Sequence, residues 1–178
     1  MNTPASDELV QIVRTKDLDA LVCRVHLSTN DCIVISELSD SLDLDGICII
    51  PTNSVRYFDR TFERADFYRA ALTAWSNINP HTSLLSELAC DMAIDLRHLG
   101  TKAETIAIHM EVEEPDIAYI GTVREVTATA LLLDRISARG QHIDEPLRVE
   151  LKSITKIEVA TRYLIAVGQA ARVLGANP

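Results

Sequence analysis

The sequence predicts an α+β fold, mostly β. It would form two tandem small five-stranded barrels, each followed by a helix, with one further helix connecting them. Three observations lead there. The apolar pattern occurs twice: Ile35-Ser36-Glu37-Leu38 matches Leu133-Asp134-Arg135-Ile136, the stretch from Ile50 to Phe58 matches that from Val149 to Ile157, and Thr61 with the helical stretch behind it matches Thr161 and its successor. Each copy holds about five short apolar or alternating runs separated by turn residues, which is strand patterning. Each copy then ends in apolar residues spaced three or four apart, which is helix patterning. Five short antiparallel strands do not bury both faces as a flat sheet, and curling into a small barrel is the usual solution. The expected units are 1–76 and 82–178.

In the first unit, Leu9-Val10-Gln11-Ile12-Val13 is a short apolar run, and Ala20 to Leu27 carries Val22 and Val25. Asn30-Asp31 is a turn signal. Cys32-Ile33-Val34-Ile35 is continuously apolar, as a strand buried on both faces would be. Leu42-Asp43-Leu44-Asp45-Gly46 reads as a loop ending in an Asp-Gly turn before the strand Ile47-Cys48-Ile49-Ile50. Pro51 belongs at an edge or bulge because it cannot donate to a ladder. Val55-Arg56-Tyr57-Phe58 closes the set. Phe62, Ala65, Tyr68, Leu72 and Trp75 share one helical face and are expected in the core, with Phe67 off that face. The stretch Ser76-Asn77-Ile78-Asn79-Pro80-His81 reads as the linker.

The connecting helix starts at Thr82 or Ser83, either of which can cap it. Leu85, Leu88, Met92, Leu96 and Leu99 form its stripe, and Gly100 fits the left-handed position past its end. The second unit opens with alternating Ile106, Ile108, Met110 and Val112, where Ile108 and Met110 correspond to Val10 and Ile12. Tyr119 to Val126 and Ala130 to Leu133 are the next strands, and Ala138 to Glu145 is a polar loop. Leu147 to Leu151, then Ile154 with Ile157-Glu158-Val159, complete the set. Tyr163, Val167, Ala170 and Leu174 line a final helix ended by Gly175.

The bulk numbers restrict the function classes. The chain has 178 residues and a formal charge of −9, with 47% hydrophobic and 24% charged residues. That composition suits a globule with a core of its own and argues against disorder. No apolar run reaches the roughly 18 residues of a membrane span, and residues 1–8 lack the basic and apolar regions of a signal peptide, so the expected compartment is the cytoplasm. Acids outnumber bases in both halves. Nucleic-acid affinity draws on Lys and Arg, so nucleic acid is a disfavoured partner and a basic protein a favoured one. Cys23, Cys32, Cys48 and Cys90 form no C-x-x-C pair and lie in apolar runs, which suits buried reduced thiols rather than zinc or a disulfide framework. No metal or cofactor is expected.

Two acidic runs are the candidate contact residues. Asp40, Asp43 and Asp45 precede Gly46. Alternating aspartates before a glycine resemble a calcium loop, but the chain enters an apolar strand where a closing Glu is needed. Glu111, Glu113, Glu114 and Asp116 form the second run. Paired carboxylates do acid–base work only when their environments split their pKa values, and a strand end facing water gives no split. His26, His81, His98, His109 and His142 show no ligand spacing, with His26 and His109 placed on strands away from the apolar face. Cys23 and His26 fall on opposite faces of a regular strand. Phosphate loops and G-x-S-x-G elbows are absent.

The stretch 83–159 resembles the Sm-like (LSm) family. A helix precedes five strand candidates, Ile120-Gly121-Thr122-Val123 resembles the glycine-centred start of that family's second strand, and Val149 to Ile157 resembles its closing pair. Residues 7–60 share the resemblance through the repeat. It implies bent strands in a small open barrel, neighbouring units pairing through their edge strands, and a possible homo-oligomer. The family's RNA-binding residues do not carry over. Thr127, Leu131 and Lys152-Ser153 stand at those positions in the second unit, and Thr29, Ile33 and Asn53-Ser54 in the first, with Cys23 in place of the glycine. The segments Leu42–Gly46 with 67–72, and Tyr119–Val123 with Asp144-Glu145-Pro146, are also similar to uncharacterised small bacterial proteins.

The expected function is therefore non-enzymatic binding of a protein. Its specific form is an immunity protein or antitoxin that inhibits a basic partner through Asp40, Asp43, Asp45, Glu111, Glu113, Glu114 and Asp116. The alternative is an Sm-like RNA-binding regulator.

Overall fold

β-branched and apolar runs in this chain pair locally into hairpins, and the hairpins join edge to edge. The computed structural model describes residues 4–15, 18–75 and 82–175. Among them are the strands β1 (Leu9–Arg14), β2 (Leu21–Ser28), β3 (Cys32–Leu38), β4 (Leu44–Pro51), β5 (Val55–Asp59), β6 (Thr105–His109), β7 (Ala118–Val126), β8 (Ala130–Arg135), β9 (Leu147–Glu150) and β10 (Lys156–Val159). The helices are α1 (Ala65–Trp75), α2 (Thr82–Leu85), α3 (Met92–Thr101) and α4 (Arg162–Gly175). The linker expected at 76–81 lies outside the described residues, as do the side chains of Trp75 and Thr82.

The two expected barrels are absent. The ten strands form one open antiparallel sheet in the order β5-β1-β2-β3-β4-β10-β6-β7-β8-β9. Closing the first half on itself would require β4 to pair with β5. The edge of β4 is instead taken by β10, with Ile49 opposite Ile157, Cys48 opposite Glu158 and Ile47 opposite Val159. Among the described residues the remaining edges, β5 and β9, each have one neighbour.

Within that sheet the halves share one arrangement. The first runs fifth-first-second-third-fourth, and so does the second when β6 to β10 are counted from one. A register shift falls at His26 in β2 and at Arg124 in β7. A 3-10 turn precedes the fifth strand in both, at Thr52–Ser54 and Leu151–Ser153. Ile12 faces Phe58 as Ile108 faces Ile157, so Val10 and Ile12 correspond to Ile106 and Ile108 rather than to Ile108 and Met110.

Bulges let the first half curve over its own apolar face. Val10, Ile12, Cys23, Val25, Ile33, Ile35, Cys48 and Ile50 are buried together in a cluster drawn from strands alone. The opposite face of β3 and β4 (Cys32, Val34, Ile47, Ile49) merges with Ile106, Ile108, Leu131, Leu133, Ile157 and Val159, and with Leu96 and Leu99 of α3. This second core spans the β4–β10 joint. Burial of each such side chain contributes roughly 1.5–3 kcal/mol. Gly46 lets β4 approach β10 closely. Its φ is 67°, and a Cβ there would stand 2.8 Å from the Val159 carbonyl oxygen. It sits inside β4, not in an Asp-Gly hairpin turn; the turn is made by residues 39–43, with Leu42 at φ 63°.

The helices depart from their expected forms in three places. The connecting helix breaks into α2 and α3. Cys90 takes a left-handed φ of 56°, Asp91 caps α3 by accepting from Ile94 N, and Asp95 accepts from Ala89 N at 2.7 Å. Helix α3 continues through Gly100 to Thr101, and Ala103 takes the left-handed position. Helix α4 buries Leu164, Val167, Gly168 and Ala171, leaving Tyr163 and Leu174 exposed. Helix α1 buries Ala65 and Leu72 beside Phe62 and exposes Phe67, as its spacing predicts.

Candidate functional site

The two acidic runs lie at opposite ends of the central strands. Ile47 faces Val159, so the turn before β4 stands where β10 ends and α4 begins; His109 faces Lys156, so the 110–117 turn stands where β10 starts. They do not make one face.

Most of the seven candidate acids are engaged internally. Arg162, the first residue of α4, pairs with Asp43 through Nη2, and its Nε is 3.5 Å from Asp45 Oδ1. Its backbone N–H also donates to Asp45 at 3.1 Å. Ser39 donates to Asp43, and this hydrogen bond, followed by those from Arg162, holds the Asp43 carboxyl below its ordinary range. At the other end Glu111 accepts from Arg14, Glu113 from the Ser153 hydroxyl at 2.9 Å, and Glu114 from the Tyr119 hydroxyl at 2.6 Å. Asp40 and Asp116 are exposed and make no side-chain bond among the described residues. Asp40 lines a shallow cleft of about 410 Å³ with Arg64, Phe67 and Tyr68.

A second polar cluster sits where the halves meet. Arg14 ends β1 and is 3% exposed. It donates through Nη1 to Glu111 Oε1 at 2.9 Å and through Nη2 to the Thr155 carbonyl at 3.3 Å, and the Thr155 hydroxyl donates to Glu111 at 2.6 Å. Burial pulls the Glu111 carboxyl up, but the Arg14 and Thr155 bonds outweigh it and the net shift is downward. Beside this pair, Lys156 and Glu158 alternate with the buried Ile157 and Val159 on β10. Lys156 Nζ is 2.7 Å from Glu158 and 3.8 Å from Glu37 of β3. His109 Nε2 is 3.4 Å from Glu158, an ion-pair separation without hydrogen-bond geometry, so Lys156 is the firmer partner. Burial opposes the Glu158 charge, yet the nearby His109 ring and the Lys156 ammonium hold its carboxyl at about 2, with the Lys156 contact at 2.7 Å the one whose geometry is that of a bonded pair. Glu37 is held above its ordinary value, by burial first, with Lys156 opposing.

The chemistry available to this cluster is limited by its own cation. Oxygens of Glu37 and Glu158 and the Cys48 sulfur lie within 4.8 Å of one another, a spacing that could hold a metal ion. The Lys156 ammonium already stands against both carboxylates, and burial pushes the Cys48 thiol well above its ordinary value. A metal would have to displace one and deprotonate the other. The cluster instead fastens β1, β3, β6 and β10 together. Buried charges are tolerated when paired and hydrogen-bonded, and removal of one partner leaves the other costly.

Arg14, Glu37, Lys156 and Glu158 are not among the candidates the sequence offers, and His109 enters there only as a strand histidine without ligand spacing. The signal at Lys156 and Glu158 is charge alternating with isoleucine and valine on a short strand, which also describes an ordinary solvated face. His26 is likewise buried, not turned to solvent: the bulge directs its Nε2 to the Ser36 hydroxyl at 2.9 Å, and burial lowers its pKa.

Comparison with known proteins finds no matching family model, no matching curated protein and no matching solved structure.

Proposed function

We propose that this chain is a non-enzymatic protein-binding module that works through the free edges of its sheet, with a second copy of itself as the occupant. The observation that carries this is the β4–β10 joint. It is a pairing of one half's fourth strand with the other half's fifth, and the edges left over are a fifth strand, β5, and a fourth strand, β9. A copy docking head to tail would repeat the internal joint. By the same register Arg148 falls opposite Phe58, Val149 opposite Tyr57 and Glu150 opposite Arg56. The last pair is charge-complementary, with Glu150 also 2.9 Å from the exposed Lys152 ammonium, which Arg56 would have to share or replace. Tyr57 is 47% exposed, whereas its counterpart inside the joint, Lys156, is 9% exposed. Exposed edges template pairing with another chain, and head-to-tail contacts close into rings or extend into filaments. Pro146 and Arg148 at β9 limit the pairing to a short segment.

The acidic-loop form of the protein-binding reading, an immunity protein or antitoxin against a basic partner, has less support. Asp43, Asp45, Glu111, Glu113 and Glu114 already have internal partners.

Sedimentation velocity over a concentration series tests the proposal. Expected is reversible assembly that Arg56→Glu and Glu150→Arg each weaken and the double variant restores. A monomer at every concentration refutes self-pairing. Retention on a uridine-rich resin at low salt would favour the RNA reading instead.

A further inference from the structure

Four cysteines are buried, but two of them touch. Cys32 opens β3, and Cys90 lies in the bend between α2 and α3, 58 residues on. Their sulfurs are 3.3 Å apart, and the Cys90 thiol donates to the Cys32 carbonyl at 2.7 Å. The bend is held in place by the β2–β3 turn: the Thr29 hydroxyl donates to the Cys90 carbonyl at 2.8 Å, and Asp31 accepts from Met92 N at 2.9 Å. A disulfide needs the sulfurs to close from 3.3 Å to about 2.05 Å, a movement of roughly one ångström.

Proximity and reactivity favour the same pair. Cys32 and Cys90 are 0% and 2% exposed, and their chain neighbours Asp31 and Asp91, with Met92, line a cleft of about 410 Å³ from which an oxidant would have to reach them. The hydrogen bond with Cys32, and then those with Thr29, hold the Cys90 thiol below its ordinary value against the opposing effect of burial. Cys32 is pushed up, by its hydrogen bond to Cys90 and by burial. Cys23 and Cys48 sit in the strand-lined core of the first half, and burial raises both.

We propose that Cys32 and Cys90 form an oxidative modification site, a thiol pair that a low-molecular-weight disulfide converts to a disulfide stapling β3 to the α2–α3 bend. The Cys90 thiolate attacks one sulfur of the external disulfide, expelling one thiolate and leaving a mixed disulfide on Cys90. Cys32, giving up its proton, attacks the Cys90 sulfur and expels the second. Two protein thiols become one disulfide, and the external disulfide is reduced to two thiols that take up the two protons.

Treatment of the folded protein with oxidised glutathione, followed by denaturation and alkylation, tests this. Expected is a fall from four alkylatable thiols to two, with a non-reduced tryptic digest joining peptide 25–56 to peptide 70–97. Peptide 25–56 also contains Cys48, so the cross-link must persist in Cys48→Ser and vanish in Cys32→Ser. Four free thiols in the oxidant-treated wild type, glutathione adducts without a cross-link, or a cross-link that survives Cys32→Ser would overturn the proposal. The wild-type measurement needs no variant to fold.

Discussion

Glu158→Gln removes the anion at the centre of the joint cluster while keeping its shape. The folded carboxyl titrates at about 2 against an ordinary 4.5. At roughly 1.4 kcal/mol per unit, that difference stabilises the folded state by about 3 kcal/mol near neutral pH. Because the folded value is the lower one, the stabilisation is fully present above the unfolded value and is lost as pH falls from there towards 2. Glu37 opposes it: its raised carboxyl costs stability at neutral pH, a cost that fades as pH falls through its folded value, and removing the neighbouring Glu158 charge relieves the part of that cost that does not come from burial. Lys156 keeps Glu37 as a partner, so the net loss in the variant is about 1–3 kcal/mol. Urea denaturation at neutral pH should show that loss, and a series into acid should show the wild type losing stability faster than the variant below pH ~5. A variant as stable as wild type at neutral pH, with the same acid slope, would refute the assignment of Glu158 as a paired, charged member of the joint.

Three further outcomes follow from the same geometry. Ile157→Ala empties a fully buried position facing Ile49 across the joint and should cost about 2–5 kcal/mol in chemical denaturation, with probes in both halves unfolding together; separate transitions would contradict a shared core. Gly46→Ala should destabilise by more than the ~1 kcal/mol of an ordinary strand substitution, because a side chain at φ 67° meets the Val159 carbonyl; an unchanged denaturation midpoint would contradict that approach. Arg162→Ala should leave the unfolding midpoint nearly unchanged, since the pair is exposed, while the Asp43 carboxyl titrates at a higher pH by carbon-detected NMR; an unmoved Asp43 titration would remove Arg162 as its partner.

The strands were legible because each is a short apolar run closed by turn residues, and the shared strand order was legible because the stretch from Ile50 to Phe58 repeats the pattern from Val149 to Ile157; the sequence match of the first strands is two residues out of register, since Ile12 pairs with Phe58 as Ile108 pairs with Ile157. What the pattern does not encode is the partner of a strand's second edge. Ile47-Cys48-Ile49-Ile50 is apolar on both faces whether β4 closes a barrel or meets β10. The helix break was hidden for a similar reason. Leu88, Met92, Leu96 and Leu99 keep helical spacing across Cys90-Asp91, and only the cap made by Asp91 and the left-handed Cys90 separate α2 from α3. The internal partners of the candidate acids are invisible in the sequence because they are remote: Arg14 lies 97 residues from Glu111, and Arg162 lies 119 from Asp43. Proximity in sequence made each run look like a surface, and pairing in space gave most of its members an internal task.

The most direct test of the account is the pairing of β4 itself. Cross-strand Hα and amide NOEs in an isotope-labelled sample should connect Ile47 with Val159 and Ile49 with Ile157 in antiparallel register. NOEs joining β4 to β5 instead, with none to β10, would mean that each half closes on itself, and the fused sheet with its two leftover edges would have to be abandoned.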